Sequence, residues 1–154
     1  MKHFFLIIII VFSFLKVFAS CSKEEEKHTT NSINNEVMNS KIRIKIGLKT
    51  FSVTLSDNAT GVAFKAMLPM KIIMKELNGN EKYFNLSDNL PVNTSNLLNI
   101  QNGDLMLYGN NTLVLFYKSF TTSYSYTNLG RIDDTTGLND ALGAGDVEVL
   151  FELE

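Results

Sequence analysis

The amino-acid sequence predicts a mainly β protein built as a small, closed antiparallel barrel, on three observations. From Lys41 onward, apolar and polar residues alternate with a period of two, which is typical of strands with one buried face. Turn residues separate these short runs, and Asn78-Gly79 is a strong hairpin signal. The final run, Asp146–Leu153, alternates again and suits a strand that closes the barrel. A chain of 154 residues has room for one such domain.

Residues 1–20 are predicted to be a signal peptide. A lysine near the start precedes a mostly apolar run, Phe4–Leu15, which contains one serine and is too short to span a bilayer core comfortably. Ala19 and Ser20 are small and lie directly before Cys21, an order that resembles a bacterial lipobox, in which the cysteine carries the lipid. The alternative is an ordinary secretory signal cleaved after Ala19 or Ser20. We expect lipid attachment at Cys21 and anchoring of the protein to a membrane through that lipid.

Residues 21–40 are expected to form a flexible polar tether, because they hold too few apolar side chains to fold. Lys23 followed by Glu24–Glu26 resembles the export signal that sends some lipoproteins to the outer face of the outer membrane. The alternative is a solvated run of charges. The expected location is the bacterial cell envelope, lipid-anchored at the outer membrane, with surface exposure left open.

The domain at 41–154 opens with a predicted hairpin and a helix. Ile42, Ile44 and Ile46 alternate with basic residues, Gly47 turns the chain, and a second alternating strand follows to Leu55. Arg43 falls on the wet face of this hairpin. A helix is predicted over Ala59–Leu68, with Asn58 as its N-cap and Pro69 as its stop, and it is expected to cap one end of the barrel.

Strands are then predicted at Met70–Met74 and Lys82–Leu86, on either side of the Asn78-Gly79 turn. Ser87–Gln101 holds a proline and four asparagines, so it is expected to be a surface loop that borders a site. A central hairpin is predicted from Leu105–Tyr108 and Thr112–Tyr117.

The partly exposed segment Ser119–Thr127 follows the central hairpin and is rich in hydroxyls and tyrosines. One short helical turn is predicted at Leu138–Leu142. In the closing strand, four apolar side chains are expected to point inward: Val147, Val149, Phe151 and Leu153.

Composition and charge exclude several classes of function. A net charge of −2 argues against a nucleic-acid partner. Removing the first 20 residues takes away two lysines and leaves 12 basic against 16 acidic side chains. A single cysteine excludes an intrachain disulfide, and the only histidines, His3 and His28, lie before the predicted domain. These counts argue against Cys/His metal sites and histidine-assisted nucleophiles, so we predict neither a metal nor a cofactor.

Beside these patterns, Lys41–Glu154 resembles a bacterial cyclophilin-like family of small domains. The matching segments, beside the opening strand-turn-strand, are Asn58–Pro69, Leu77–Asn80, Gly103–Gly109, Leu113–Lys118, Ser123–Tyr126 and Gly130–Asp134. The resemblance implies a cyclophilin-like eight-stranded barrel with a capping helix, and it does not imply a settled activity.

Cyclophilins isomerise X–Pro bonds with an arginine that donates to the prolyl nitrogen beside an apolar pocket. This sequence lacks the family's Phe-His-Arg run, its Gln-Gly-Gly-Asp run and its tryptophan. A divergent peptidyl-prolyl isomerase that uses Arg43 or Arg131 is therefore the alternative and not the main hypothesis. A further alternative is an accessory domain for a flavodoxin-type redox partner, since relatives of the family occur alongside such proteins.

Ligand-binding candidates lie in and after the central hairpin. Tyr124 and Tyr126 share one face of an extended segment and are predicted to line a groove, or to cover a sheet edge. Tyr108 and Lys118 are placed at one barrel mouth, or pack at strand ends with solvated tips. Arg131 follows a glycine and is a candidate clamp for a carboxylate or phosphate.

The alternative for Arg131 is a salt bridge to Asp104, Asp133 or Asp134; the two adjacent aspartates are interpreted as turn formers, because neighbouring side chains point apart. The sequence therefore favours a non-catalytic binding module for a small molecule or an extended peptide.

Overall fold

The computed structural model describes residues 40–154, so the predicted signal peptide, Cys21 and residues 22–39 of the predicted tether lie outside the described part. The strands in chain order are β1 (Lys41–Ile46), β2 (Lys49–Leu55), β3 (Met70–Leu77), β4 (Glu81–Asn85), β5 (Ser95–Asn96), β6 (Asn99–Ile100), β7 (Asp104–Tyr108), β8 (Thr112–Phe116), β9 (Phe120–Thr121), β10 (Ser125–Ile132) and β11 (Val147–Leu153). The helices are α1 (Ala59–Lys65) and α2 (Leu138–Leu142). Neither is long and apolar enough to cross a membrane.

Eight of these strands close into an antiparallel barrel. Their order is β2-β1-β11-β3-β4-β8-β7-β10, and β10 pairs back onto β2 to complete the ring. Of the three short strands, β5 extends from β10, while β6 and β9 pair with each other. The predicted closed, eight-stranded barrel is confirmed. The closed ring, both described helices and both apolar clusters described below lie within 40–154, so we expect this range to fold by itself.

Closure of the ring depends on a close approach at Gly130. The register between β10 and β7 shifts between Asn128 and Gly130, and Gly130 pairs with Leu55 of β2. A Cβ atom on Gly130 would lie 2.6 Å from the carbonyl oxygen of Thr54 and 2.9 Å from the Cα of Leu55. Only glycine lets the two backbones meet at this distance.

We expect Gly130→Ala to lower the free energy of unfolding by about 1–3 kcal/mol, because the added methyl group meets backbone atoms that cannot rotate away. Urea denaturation of residues 40–154 measures this change. Gly145→Ala is the matched control, since a Cβ there meets no atom within 4 Å. Equal destabilisation by the two substitutions would show that the close approach does not limit closure.

Helix α1 caps the barrel as predicted, through contacts at both its ends. The Asn58 side chain accepts a hydrogen bond from the Gly61 backbone N–H (2.8 Å) and donates one to the carbonyl oxygen of Asn128 on β10 (2.8 Å). Phe64 is fully buried and packs edge-on against Phe151, with ring centroids 5.6 Å apart. The regular helix ends at Lys65, short of the predicted Leu68. The backbone N–H groups of Met67 and Leu68 donate three residues back, to Phe64 and Lys65, and Leu68 precedes a proline, a position that avoids the α conformation.

Two predictions about the last third of the chain have different outcomes. The short helical turn lies at Leu138–Leu142, as predicted. In β11, Val149 and Phe151 are buried and Val147 packs against the interior cluster, whereas Leu153 is 47% exposed although it pairs with the buried Ile42. The reason is that β3 pairs with β11 only as far as Phe151, so Leu153 has a strand neighbour on one side only.

The described chain holds two apolar clusters, one inside the barrel and one on its outer surface. The interior cluster takes side chains from all eight barrel strands and both helices. The outer cluster is made of buried Ile100, Met106, Val114, Phe116 and Tyr126, with Tyr83, Leu97 and Phe120 packed against it. Strands β7 and β8 are therefore buried on both faces.

A buried ion pair fixes the β3–β4 hairpin inside one end of the barrel. The Lys82 side chain is fully buried, and its Nζ pairs with the Glu76 carboxylate. It also donates hydrogen bonds to the carbonyl oxygens of Gly143 (2.9 Å) and Gly145 (2.6 Å). The Tyr117 hydroxyl donates to Glu76 (2.8 Å), and the Tyr117 ring lies 5.4 Å from Lys82 Nζ. This network joins β3, β4 and the ends of β8 and α2.

Lys82→Met removes the charge at similar volume, so the Glu76 carboxylate loses its countercharge and the carbonyl oxygens of Gly143 and Gly145 lose this donor. We expect a loss of about 3 kcal/mol in the free energy of unfolding, the low end for breaking a buried pair, because Glu76 keeps some contact with solvent. Lys118→Met is the control, since this exposed lysine lies over the same Tyr117 ring at 5.8 Å. Chemical denaturation measures the free energy of unfolding of both variants. Similar, small decreases in the two would contradict a structural role for the Lys82–Glu76 ion pair.

Candidate ligand-binding groove

An open groove of about 590 Å³ lies on the outer face of the barrel. Its floor is formed by the outward side chains of β4 and β8, with Tyr108 from β7 and Tyr126 from β10. One wall is the β3–β4 turn, residues 77–80, and the other is the segment 120–124. We call this feature the tyrosine groove. Strand register explains the floor, since Tyr83 pairs with Val114 and Thr112 pairs with Tyr108.

Three of the five candidate residues predicted from the sequence meet in the tyrosine groove. The ring centroids of Tyr108 and Tyr124 lie 6.0 Å apart in an edge-to-face arrangement, and those of Tyr108 and Tyr126 lie 5.6 Å apart. Tyr126 is buried against Phe116 at 5.5 Å, whereas Tyr108 and Tyr124 stay 46% and 62% exposed. The buried ring of Tyr126 thus contacts the exposed ring of Tyr108, which in turn contacts the exposed ring of Tyr124. Aromatic pairs attract each other in such edge-to-face and tilted arrangements.

The polar groups of the groove are acidic or neutral. Glu81 lines it from the start of β4, and burial, with a smaller effect of the Glu76 charge, raises the pKa of the Glu81 carboxyl. Burial, together with the nearby Glu81 charge, raises the pKa of Tyr126 to about 12, so its phenol stays protonated at neutral pH. The Oδ1 atom of Asn80 is buried and has no hydrogen-bond partner in the described part of the chain. These groups leave hydrogen-bonding capacity for a ligand.

With the fold and the groove described, the relation to known proteins can be stated. The sequence matches the model of a cyclophilin-like family over residues 44–152. This chain belongs to that cyclophilin-like family. Its fold is similar to the solution structure of a hypothetical protein from Archaeoglobus fulgidus, with a TM-score of 0.53, 21% identity, and coverage of 75% of this chain and 95% of that one. At this identity, the likeness concerns the fold alone. No curated protein matches the sequence.

The other two candidates of this cyclophilin-like domain lie elsewhere. Lys118 borders a different depression, together with Glu76 and Tyr117. Arg131 lines a third depression, beside Asp133. Its Nε lies 3.7 Å from Oδ1 of Asp104. The structure therefore does not place Lys118 with Tyr108 at one mouth, and it shows Arg131 in the ion pair with Asp104 that the sequence offered as an alternative.

Neither arginine of the domain lies in the tyrosine groove. Arg43 is exposed on the wet face of the first hairpin, as predicted, and its guanidinium donates to the carbonyl oxygen of Leu153 (3.3 Å). Arg131 is also exposed and occupied by Asp104. Among residues 40–154, no three His, Cys, Asp or Glu side chains are grouped so that they could hold a metal ion.

Sequence reasoning missed the groove residues contributed by the β3–β4 hairpin: Asn80, Glu81 and Tyr83. A signal for part of this set was present. The Asn78-Gly79 turn has positive φ at both residues (56° and 69°), as a type I′ turn requires, and Asn80 follows before β4 begins. It fixes the alternation of β4, so Glu81 and Tyr83 must share the face opposite to Lys82. Nothing local indicated that β4 lies beside β8.

Proposed function

We propose that this cyclophilin-like domain is a non-catalytic ligand-binding module, held at a bacterial membrane by a lipid on Cys21. The observation that carries the binding role is the tyrosine groove, in which the exposed rings of Tyr108 and Tyr124 contact each other and Tyr108 also contacts the buried ring of Tyr126. Exposed aromatic side chains in a concave site are typical of surfaces that bind a ligand.

The dimensions and chemistry of the groove suit a small molecule or a short extended peptide. A volume of about 590 Å³ lies within the usual range of ligand pockets, roughly 300–1,000 Å³. Its side chains combine aromatic faces with hydroxyl, amide and carboxyl groups, which fix orientation. Isomerisation of X–Pro bonds by the cyclophilin route needs an arginine beside the ring pocket, and no arginine lines this groove. Binding without catalysis is therefore the proposal.

We expect a screen of small aromatic fragments against residues 40–154, followed by backbone-amide NMR shifts, to place binding fragments in the tyrosine groove. Tyr124→Ala removes an exposed ring without opening the core, so it should leave the melting temperature nearly unchanged. It should lower the affinity for those fragments about tenfold, the usual order for loss of an aromatic contact in a binding site. Lys118→Ala is the control outside the groove and should leave fragment affinity unchanged.

Shifts confined to other surfaces, or affinity that is insensitive to Tyr124→Ala, would contradict the binding role of the groove. A prolyl isomerase assay on the same protein completes the test. Acceleration that Arg131→Ala or Arg43→Ala abolishes would replace the binding module by an isomerase and identify the catalytic arginine.

The lipid anchor is supported by the apolar run Phe4–Leu15 and by the small residues Ala19 and Ser20 directly before Cys21. We expect metabolic labelling with an alkyne fatty acid in a bacterial host to label the wild-type chain, and Cys21→Ser to abolish the label and release the protein from the membrane fraction. Ser22→Ala, which keeps the cysteine, should behave like the wild type. Membrane retention of an unlabelled Cys21→Ser chain would contradict anchoring through this residue.

A further inference from the structure

We propose that the ligand of the tyrosine groove is a small organic cation whose ammonium group lies against Glu81 and whose apolar body lies against the tyrosine rings. This inference rests on the proposed binding role of the groove and names the class of its ligand. It is carried by the charge of the lining, by two unoccupied acceptors and by the aromatic faces beside them.

The lining carries negative charge only. Among the residues that line the groove there is one carboxylate, Glu81, and there is no lysine, arginine or histidine. The nearest basic residue along β4, Lys82, points into the barrel and is occupied by Glu76 and two carbonyl oxygens. An anionic ligand would therefore meet an uncompensated carboxylate in a partly desolvated site, whereas a cation would neutralise it.

Two hydrogen-bond acceptors at the turn side of the groove lack donors. No hydrogen bond or ion pair from residues 40–154 occupies the Glu81 carboxylate, although burial makes its charge costly and raises its pKa. Asn80 Oδ1, on the neighbouring residue, is buried and also lacks a partner. An acceptor in a partly desolvated site without a donor is unfavourable, so a donor-rich group such as an ammonium ion gains by donating to the Glu81 carboxylate.

The aromatic part of the groove suits the same ligand. The faces of Tyr108 and Tyr124 carry negative potential and are exposed, which makes them favourable neighbours for a cation or for the methylene groups beside it. Tyr126 and Glu81 line the same groove.

Strand pairing favours a small molecule over an extended peptide. An extended peptide gains most of its affinity by adding a strand to a free sheet edge. In the groove floor, β4 pairs with β3 and β8, and β8 pairs with β4 and β7, so neither strand offers a free edge. In the wall, β9 pairs with β6 alone, but at two residues it is too short to hold an extended peptide by strand pairing. The ligand must then be held by side chains, as small molecules are.

The test uses three probes with one body and different heads: 4-phenylbutylamine, 4-phenylbutan-1-ol and 4-phenylbutyrate. Each is titrated into residues 40–154 and followed by amide NMR shifts. We expect the amine to bind about tenfold tighter than the alcohol, and the carboxylate to bind weakest, since a charge-assisted contact is worth about that factor. Glu81→Gln should reduce the affinity for the amine to that for the alcohol. Glu148→Gln is the matched control on β11, where the carboxylate is exposed and pairs with Lys71 at 2.9 Å, and it should change nothing.

A second variant removes the aromatic face and not the charge. Tyr124→Leu should reduce the amine's advantage over the alcohol while the alcohol still binds. Equal or tighter binding of the alcohol or the carboxylate overturns the cation inference, as does an amine preference that survives Glu81→Gln. In these cases, the proposed binding role of the groove is retained as long as some fragment changes the amide NMR shifts of the groove residues. If neither the three probes nor any fragment changes the amide NMR shifts of the groove residues, the proposed binding role is contradicted as well.

Discussion

The ion pair between Lys82 and Glu76 is the interaction on which the β3–β4 hairpin and the tyrosine groove beside it depend. A lysine inside a barrel is tolerated only when its charge and its donors are all satisfied. Here Glu76 supplies the charge, and the carbonyl oxygens of Gly143 and Gly145 supply the remaining acceptors. Burial by itself would raise the pKa of Glu76, but hydrogen bonds from Lys82, Tyr117 and Gly79 together hold that pKa below its usual value. The stabilisation from Glu76 is therefore present at neutral pH and is lost as the pH falls through its lowered pKa.

The same ion pair sets the position of one wall of the tyrosine groove. Side chains alternate along β4, so holding Lys82 inward turns Glu81 outward, into the groove. The backbone N–H of Tyr117 donates to the carbonyl oxygen of Asn80 (3.0 Å), which ties the turn to the end of β8 as well. Lys82, which is buried in the ion pair, and Glu81, which lines the groove, are thus adjacent residues on opposite faces of β4.

The sequence predicted what depends on local order. Alternation from Lys41 gave the strands, Asn58 and Pro69 gave the helix, and Asn78-Gly79 gave a hairpin whose turn has the expected φ angles. The second apolar cluster was not predicted, although the unbroken run Leu113–Phe116 is a signal of burial on both faces.

Residues of the tyrosine groove could be predicted only where they come from neighbouring positions in the sequence. Tyr124 and Tyr126 are close in the chain and close in space, and Tyr108 joins them because β7 pairs with β10. Lys118 and Arg131 also lie within a few residues of Tyr124 and Tyr126 in the sequence, but each lines a different depression on the surface. Glu81 reaches the groove through the pairing of β4 with β8, a contact between distant segments that no short-range pattern contains.

A closed barrel has no free sheet edge, so binding must take place on a face or at an end of it. The interior of this barrel is filled, which leaves the outer face, and the outer cluster makes that face a rigid support. Phe116 and Phe120 pack at 5.5 Å beneath the segment that carries Tyr124, and Tyr126 is held between Phe116 and Tyr108. Because these rings are already in place, a ligand orders few side chains when it enters and pays little conformational entropy. Even a ligand with few contacts can then be held with useful affinity.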